Sequence, residues 1–162
     1  MAAFPLLRAI QDSPLGTTIS QSTWMFPTIE TVHVIALSIV LGSIVVVDLR
    51  LVGVASKDRS VTALTKDFLP WTWAAFALAA ATGTLLFTSR AADYMKIEAF
   101  PAKFVFMGIA GLNMIYFHFA TQKSIGQWDT GEPVRAAKIA GAVSLVMWAL
   151  VVICARQVGF HL

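Results

Sequence analysis

Five polar side chains interrupt otherwise apolar stretches of this sequence: Glu30, His33, Asp48, Asn113 and His118. Such groups are costly in hydrocarbon and normally face a bundle interior, so each is a candidate for function. Glu30 and His33 stand three residues apart, on one face of a helix, where the carboxylate would orient the imidazole or share a metal with it. Di-iron bundles use the same Glu-x-x-His spacing but need a second copy and two further glutamates, and this chain has one copy. The plainer alternative is a histidine hydrogen-bonded to Glu30 as a structural cap. Met107, Gly111, Met114 and His118 follow at spacings of four, three and four, which puts them on one helix face. A glycine in line with a histidine lets a flat porphyrin approach the backbone, although for Gly111 alone helix packing is the simpler role. Asp48-Leu-Arg50 either anchors a helix end at the membrane interface or fixes a haem propionate or a neighbouring helix.

The elements that must position these residues are set by composition. The chain has 162 residues, 57% of them hydrophobic and 13% charged, with a mean hydropathy of +0.74. That excludes a disordered chain and gives more apolar surface than one small core can hide from water, so lipid is the expected solvent. The net charge of +3 comes from Lys and Arg scattered singly, with no basic stripe, so no nucleic-acid partner is expected. Cys154 is the one cysteine and forms no intrachain disulfide. The N-terminus lacks a basic region followed by an uninterrupted apolar run, so no cleavable signal peptide is expected and the chain keeps Met1 or Ala2. Phosphate loops, dinucleotide glycine fingerprints, paired CxxC, HExxH and CxxCH are all missing from the sequence.

Charge-free stretches at 31–47, 68–89, 104–122 and 139–155 each approach the length that crosses a bilayer once flanking turns are added. They predict an all-α integral membrane four-helix up-down bundle, one transmembrane domain over 1–162, with spans at about 27–52, 68–89, 101–122 and 134–157. Pro27, Pro70, Pro101 and Pro133 lie at or just before span starts, and short connections make successive helices antiparallel neighbours. Residues 1–24, interrupted by Pro5, Pro14 and Gly16, read as an interfacial segment. Residues 60–68 and 90–100 read as short interfacial helices, and Trp24, Trp71, Trp73 and Trp128 as belt residues.

Seven basic residues (Arg50, Lys57, Arg59, Lys66, Lys123, Arg135, Lys138) fall on one face and five (Arg8, Arg90, Lys96, Lys103, Arg156) on the other. The positive-inside rule then puts both termini in the periplasm of a bacterial inner membrane. His33 and His118 lie near opposite ends of parallel helices, at levels roughly 15 Å apart, which disfavours one iron clamped between them in one protomer. The His33 layer holds Met107 and Met147 as soft axial ligands and Arg90, Lys103 and Arg156 for propionates. Met25, Glu30, His33, Cys154 and His161 make a mixed set suited to copper. On the His118 side Asp48, Arg50, Trp71, Trp73 and Lys123 form the rim.

The run Trp24-Met-Phe-Pro-Thr-Ile-Glu-Thr-Val-His33, with Gly42-Ser43, Asp48-Leu-Arg-Leu51, Trp71-Thr-Trp-Ala-Ala-Phe76, Thr82-Gly-Thr-Leu-Leu-Phe87 and Lys103 through Gly111-Leu-Asn113 to His118, resembles a family of small four-helix bacterial membrane proteins catalogued as a domain of unknown function. It is similar in kind to membrane b-type cytochromes and to copper-resistance-type membrane proteins, a comparison at the level of fold.

The leading expectation is a membrane metalloprotein that binds b-type haem through His33, His118 or both and exchanges electrons with a quinone or a redox protein, as part of a membrane oxidoreductase. The second is a copper-binding or copper-handling protein centred on Glu30 and His33. The third is a cofactor-free assembly subunit. Gly108, Ala110 and Gly111 permit close helix contacts and suggest a homo-oligomer.

Overall fold

Four of the helices are long and apolar enough to cross a membrane, which makes this a multi-pass membrane protein. The computed structural model describes residues 3–161, so the expectation for Met1 and Ala2 lies outside the described residues. Two short helices, α1 (Ala3–Gln11) and α2 (Pro14–Gln21), precede the long α3 (Met25–Val52) and α4 (Val61–Ser89). A single turn of helix, α5 (Ala91–Tyr94), leads into α6 (Ala99–Tyr116), and the chain closes with α7 (Arg135–Phe160). No strand occurs among the described residues.

Local chemistry explains the boundaries. Ser13 caps α2 by accepting from the Gly16 N–H at 3.2 Å, with Pro14 at the first helical position where no donor is needed. Ser60 caps α4 in the same way through Ala63, 3.0 Å. α3 stops at Gly53, whose φ of +84° suits glycine; the Val54 N–H returns to the Leu49 carbonyl at 3.0 Å and closes a Schellman turn.

The helix that carries the second span therefore begins at Val61, and residues 61–68 are its first turns instead of a separate interfacial helix. Pro70 lies inside α4 and not at its start, on an exposed position. A long transmembrane helix tolerates the lost donor because its other turns and its neighbours hold the backbone. Pro5 and Gly16 likewise lie within short helices rather than between them. The expected short helix within 90–100 is present as α5.

The all-α bundle is present, with lateral packing that is uneven between the long helices. α3 packs along α4 and α7, and α6 along α7, while α4 and α6 share no comparable face among the described residues. At Gly141 of α7 a methyl group would sit 2.9 Å from the Asp48 carbonyl oxygen, so α7 crosses α3 almost backbone to backbone. Between α4 and α6 the packing is thus sparse, with the Phe87–Phe100 ring pair meeting near one end.

The two ends are built differently. At the end where α3 starts, α1 and α2 lie against α5 and α4; Gln11 accepts from the Ala92 N–H at 2.9 Å. At the other end α6 passes into a π-helical turn over Phe117–Thr121 and a 3₁₀ segment over Gln122–Gln127. The chain that follows is folded into the protein: Trp128 packs with Leu51, Val61 and Ala137, and its Nε1 donates to Ser124 Oγ at 3.1 Å. Trp128 is therefore a core residue, not a belt residue, because its indole has a hydroxyl partner and an apolar surround.

Candidate functional site

His33 lies about two turns into α3, half-buried against α4. Its Nδ1 is 2.9 Å from the Thr82 hydroxyl, which is itself buried and donates to the Leu78 carbonyl at 2.7 Å. A hydroxyl has one proton. The geometry suits an imidazole protonated on Nδ1, the tautomer in which Thr82 keeps its own proton on the Leu78 carbonyl and Nε2 keeps a lone pair.

Gly83 completes the seat. A Cβ there would fall 3.0 Å from His33 Cε1 and 3.5 Å from Nδ1, so the imidazole occupies the space that any larger residue would fill. Thr82 and Gly83 thus act together, one orienting the ring and the other admitting it. They are neighbours of His33 that helix periodicity alone does not identify, although a hydroxyl beside a glycine in an apolar span is a known signal of close helix approach.

The partner expected for His33 was Glu30. The bond runs instead to Thr82, because α4 packs on the face of α3 that carries His33, whereas Glu30 is exposed one turn away. Glu30 stays close enough to act electrostatically on both His33 and Tyr94. Lys103, from α6, also lies within electrostatic reach of His33, and Cys154, from α7, lies near Lys103. All four long helices therefore contribute to this end.

An aromatic wall closes the layer. Phe87 of α4 stacks on Phe100 of α6 at 5.6 Å between centroids and 10° between planes, with Tyr94 stacked on Phe100 at 5.0 Å. Lys103 Nζ lies 4.2 Å from the Phe100 ring centre, and Arg90 lies over Phe26 at 5.2 Å. Burial pushes the Tyr94 phenol above its ordinary pKa, so it remains a neutral hydroxyl over the physiological range. This end thus gathers a half-buried imidazole, a cation and stacked aromatic rings in one layer.

The other expected site residues separate. His118 is exposed in the π-helical turn, with Phe119 edge-on at 5.6 Å. Gly108 and Gly111 face open space, with nothing within 4 Å of a Cβ, and Met114 is exposed. Gly111, Met114 and His118 of that stripe therefore point away from the other described helices. Met107 is half-buried, one turn beyond Lys103 on the same face of α6.

Among the described residues no group of three His, Cys, Asp or Glu is placed to hold a metal ion. The mixed copper set accordingly does not gather. Cys154 is buried on α7, Met25 starts α3 with its N–H on Ser22 Oγ, and His161 is exposed, its Nδ1 2.8 Å from the Gln157 carbonyl.

Arg50 is a structural clamp. Its side chain is buried and donates to the carbonyls of Arg59 (2.8 Å), Asp129 (3.1 Å) and Gly131 (3.0 Å), tying both loops of that end to α3. Those bonds occupy its Nε and Nη2, two of the groups that the expected propionate contact would use. Asp48 is buried and lies near Ser144 of α7, and its Oδ2 has no partner among the described residues. Asn113 ties α6 to α7 by donating to the Ala140 carbonyl at 2.9 Å.

The chain matches a family of unknown function, DUF6644, over residues 13–161, and it belongs to that family. No curated protein and no solved structure matches it.

Proposed function

We propose that this member of the family is a b-type haem protein of the bacterial inner membrane that exchanges electrons with a quinone or a redox protein. The observation that supports it most is the Thr82–His33 hydrogen bond, which leaves Nε2 as a lone pair on a ring that cannot turn freely. Oriented imidazoles of this kind, with the distal N–H held by the protein, are the usual axial ligands of haem iron.

The donor set fits the group. His33 would supply the axial nitrogen, Lys103 the cation for a propionate, and Met107, on the same face of α6, a soft second ligand. The sparse packing between α4 and α6 beyond the Phe87–Phe100 pair favours entry of a flat apolar ring from lipid. Bound haem would supply one-electron chemistry, while the chain supplies orientation and a dry surround. His118 takes no part in that layer: fifteen residues beyond Lys103, it is about 22 Å further along the helix.

Both termini fall on the periplasmic side in this assignment, by the excess of Lys and Arg at the Arg50 end. A homo-oligomer through α6 is part of the proposal, since 11% of its apolar window is buried against 22–28% in the other three spans, with Gly108 and Gly111 uncovered. The visible spectrum of detergent-purified protein, before and after dithionite, tests the assignment beside iron and copper analysis. A Soret band with stoichiometric iron supports it. Copper without iron favours a copper-handling role, and neither metal, after expression with both supplied, favours a cofactor-free subunit.

A further inference from the structure

A second site lies at the opposite end of the bundle. Arg50, Gly53, Lys57, Thr130, Gly131 and Lys138 line a pocket of about 270 Å³ where the α3–α4 turn meets the segment before α7, with Glu132 and Pro133 at its margin. Three cations there oppose one carboxylate. Arg50 lends its charge from beneath, with Nε and Nη2 engaged by backbone carbonyls, while Lys57 is exposed and Lys138 half-exposed.

The pocket already gathers an anionic oxygen. Glu132, otherwise open to solvent, has its carboxylate 2.5 Å from Lys138 Nζ and within the field of Lys57. Both lysines, Lys138 foremost, hold its carboxyl below the ordinary range. An exposed carboxylate on a loop is thereby an internal competitor for whatever anion the pocket takes.

We propose that this pocket binds a phosphate-bearing anion, either the head group of an anionic phospholipid or free phosphate, in exchange for Glu132. Its position supports this choice: it lies at the ends of two membrane spans, where basic pockets between helices collect acidic head groups. Lys57 and Lys138 act as point charges on the phosphate oxygens, and Thr130 offers a hydroxyl.

The test uses the delipidated full chain in neutral detergent, titrated separately with short-chain phosphatidylglycerol, short-chain phosphatidylcholine and inorganic phosphate. Saturable phosphatidylglycerol binding that inorganic phosphate does not displace identifies a lipid site. Saturation by inorganic phosphate alone identifies a free-phosphate site. In either case Lys57→Gln and Lys138→Gln should each weaken binding about fivefold, and together about thirtyfold. Glu132→Gln should tighten it. Lys66→Gln and Lys123→Gln, exposed lysines at the same end but outside the pocket, should leave it unchanged. Absence of saturable binding by either phosphate probe overturns the proposal, as do phosphatidylcholine binding equal to phosphatidylglycerol, equal losses at the control lysines, or unchanged or weakened binding in Glu132→Gln.

Discussion

Replacing Gly83 by alanine separates the seat of His33 from general helix stability. The new methyl carbon would lie 3.0 Å from His33 Cε1, where ordinary carbon contacts are about 3.5–4.0 Å, so the ring must retreat by roughly half an ångström. A shift of that size, directed away from α4, would stretch the 2.9 Å bond to Thr82 towards the limit of hydrogen bonding. Two energies compete. Alanine gains about 1 kcal/mol of helix propensity over glycine, while overpacking costs about 1–3 kcal/mol, so the net change lies between zero and about 2 kcal/mol of destabilisation. Gly42→Ala is the control, since nothing lies within 4 Å of its Cβ and only the propensity gain remains. Thermal melts in detergent should therefore place Gly83→Ala below Gly42→Ala. The reduced-minus-oxidised spectrum should shift in Gly83→Ala alone. Equal stabilisation of the two variants with identical spectra would refute the contact between His33 and Gly83.

Arg50→Met removes a buried guanidinium from three backbone carbonyls and should lower stability by about 3 kcal/mol or more, read as a fall in melting temperature; a loss under 1 kcal/mol would deny the clamp. The Asp93 carboxyl is held below its ordinary range, chiefly by its hydrogen bond from Lys96. A lowered carboxylate pKa stabilises the fold above the unfolded value of about 3.9 and is lost as pH falls through the folded value. Melting temperatures should thus fall below about pH 4, and Asp93→Asn should reduce the size of that fall. A reporter that fluoresces only in the cytoplasm should be dark when fused at the C-terminus and bright when inserted near Lys57; the reverse pattern would invert the assigned orientation.

The spans were legible because charge is so expensive in hydrocarbon that its absence marks them, and α3 falls within two residues of its expected bounds. Composition does not settle residues 60–68, because the first turns of a long helix carry the same polar and apolar mixture as a short helix lying at the surface. The Ser60 cap was the signal that decides between them. Trp128 shows a similar ambiguity, since a tryptophan near a helix end suits a lipid interface or a folded loop equally well, and only the tertiary contacts distinguish these.

His33 stood out as an intramembrane histidine, but its partner did not. Glu30 shares its helix face by simple periodicity, whereas Thr82 reaches it only through the rotation of α4 against α3, which a single sequence does not specify. The stripe from Met107 to His118 has a sound helical period, and the structure places Gly111 and Met114 on a face uncovered within this chain. Periodicity identifies a face without saying what it meets.

The central assignment is that His33, and not His118, ligates haem. Its most direct test is the dithionite-reduced minus oxidised spectrum, with haem content per chain, of wild type, His33→Ala and His118→Ala purified in parallel and shown by circular dichroism to be equally helical. The account predicts haem in wild type and in His118→Ala with matching spectra, and its loss from His33→Ala. Full haem retention with an unchanged spectrum in His33→Ala, or a wild-type protein without haem when haem is supplied, would contradict it.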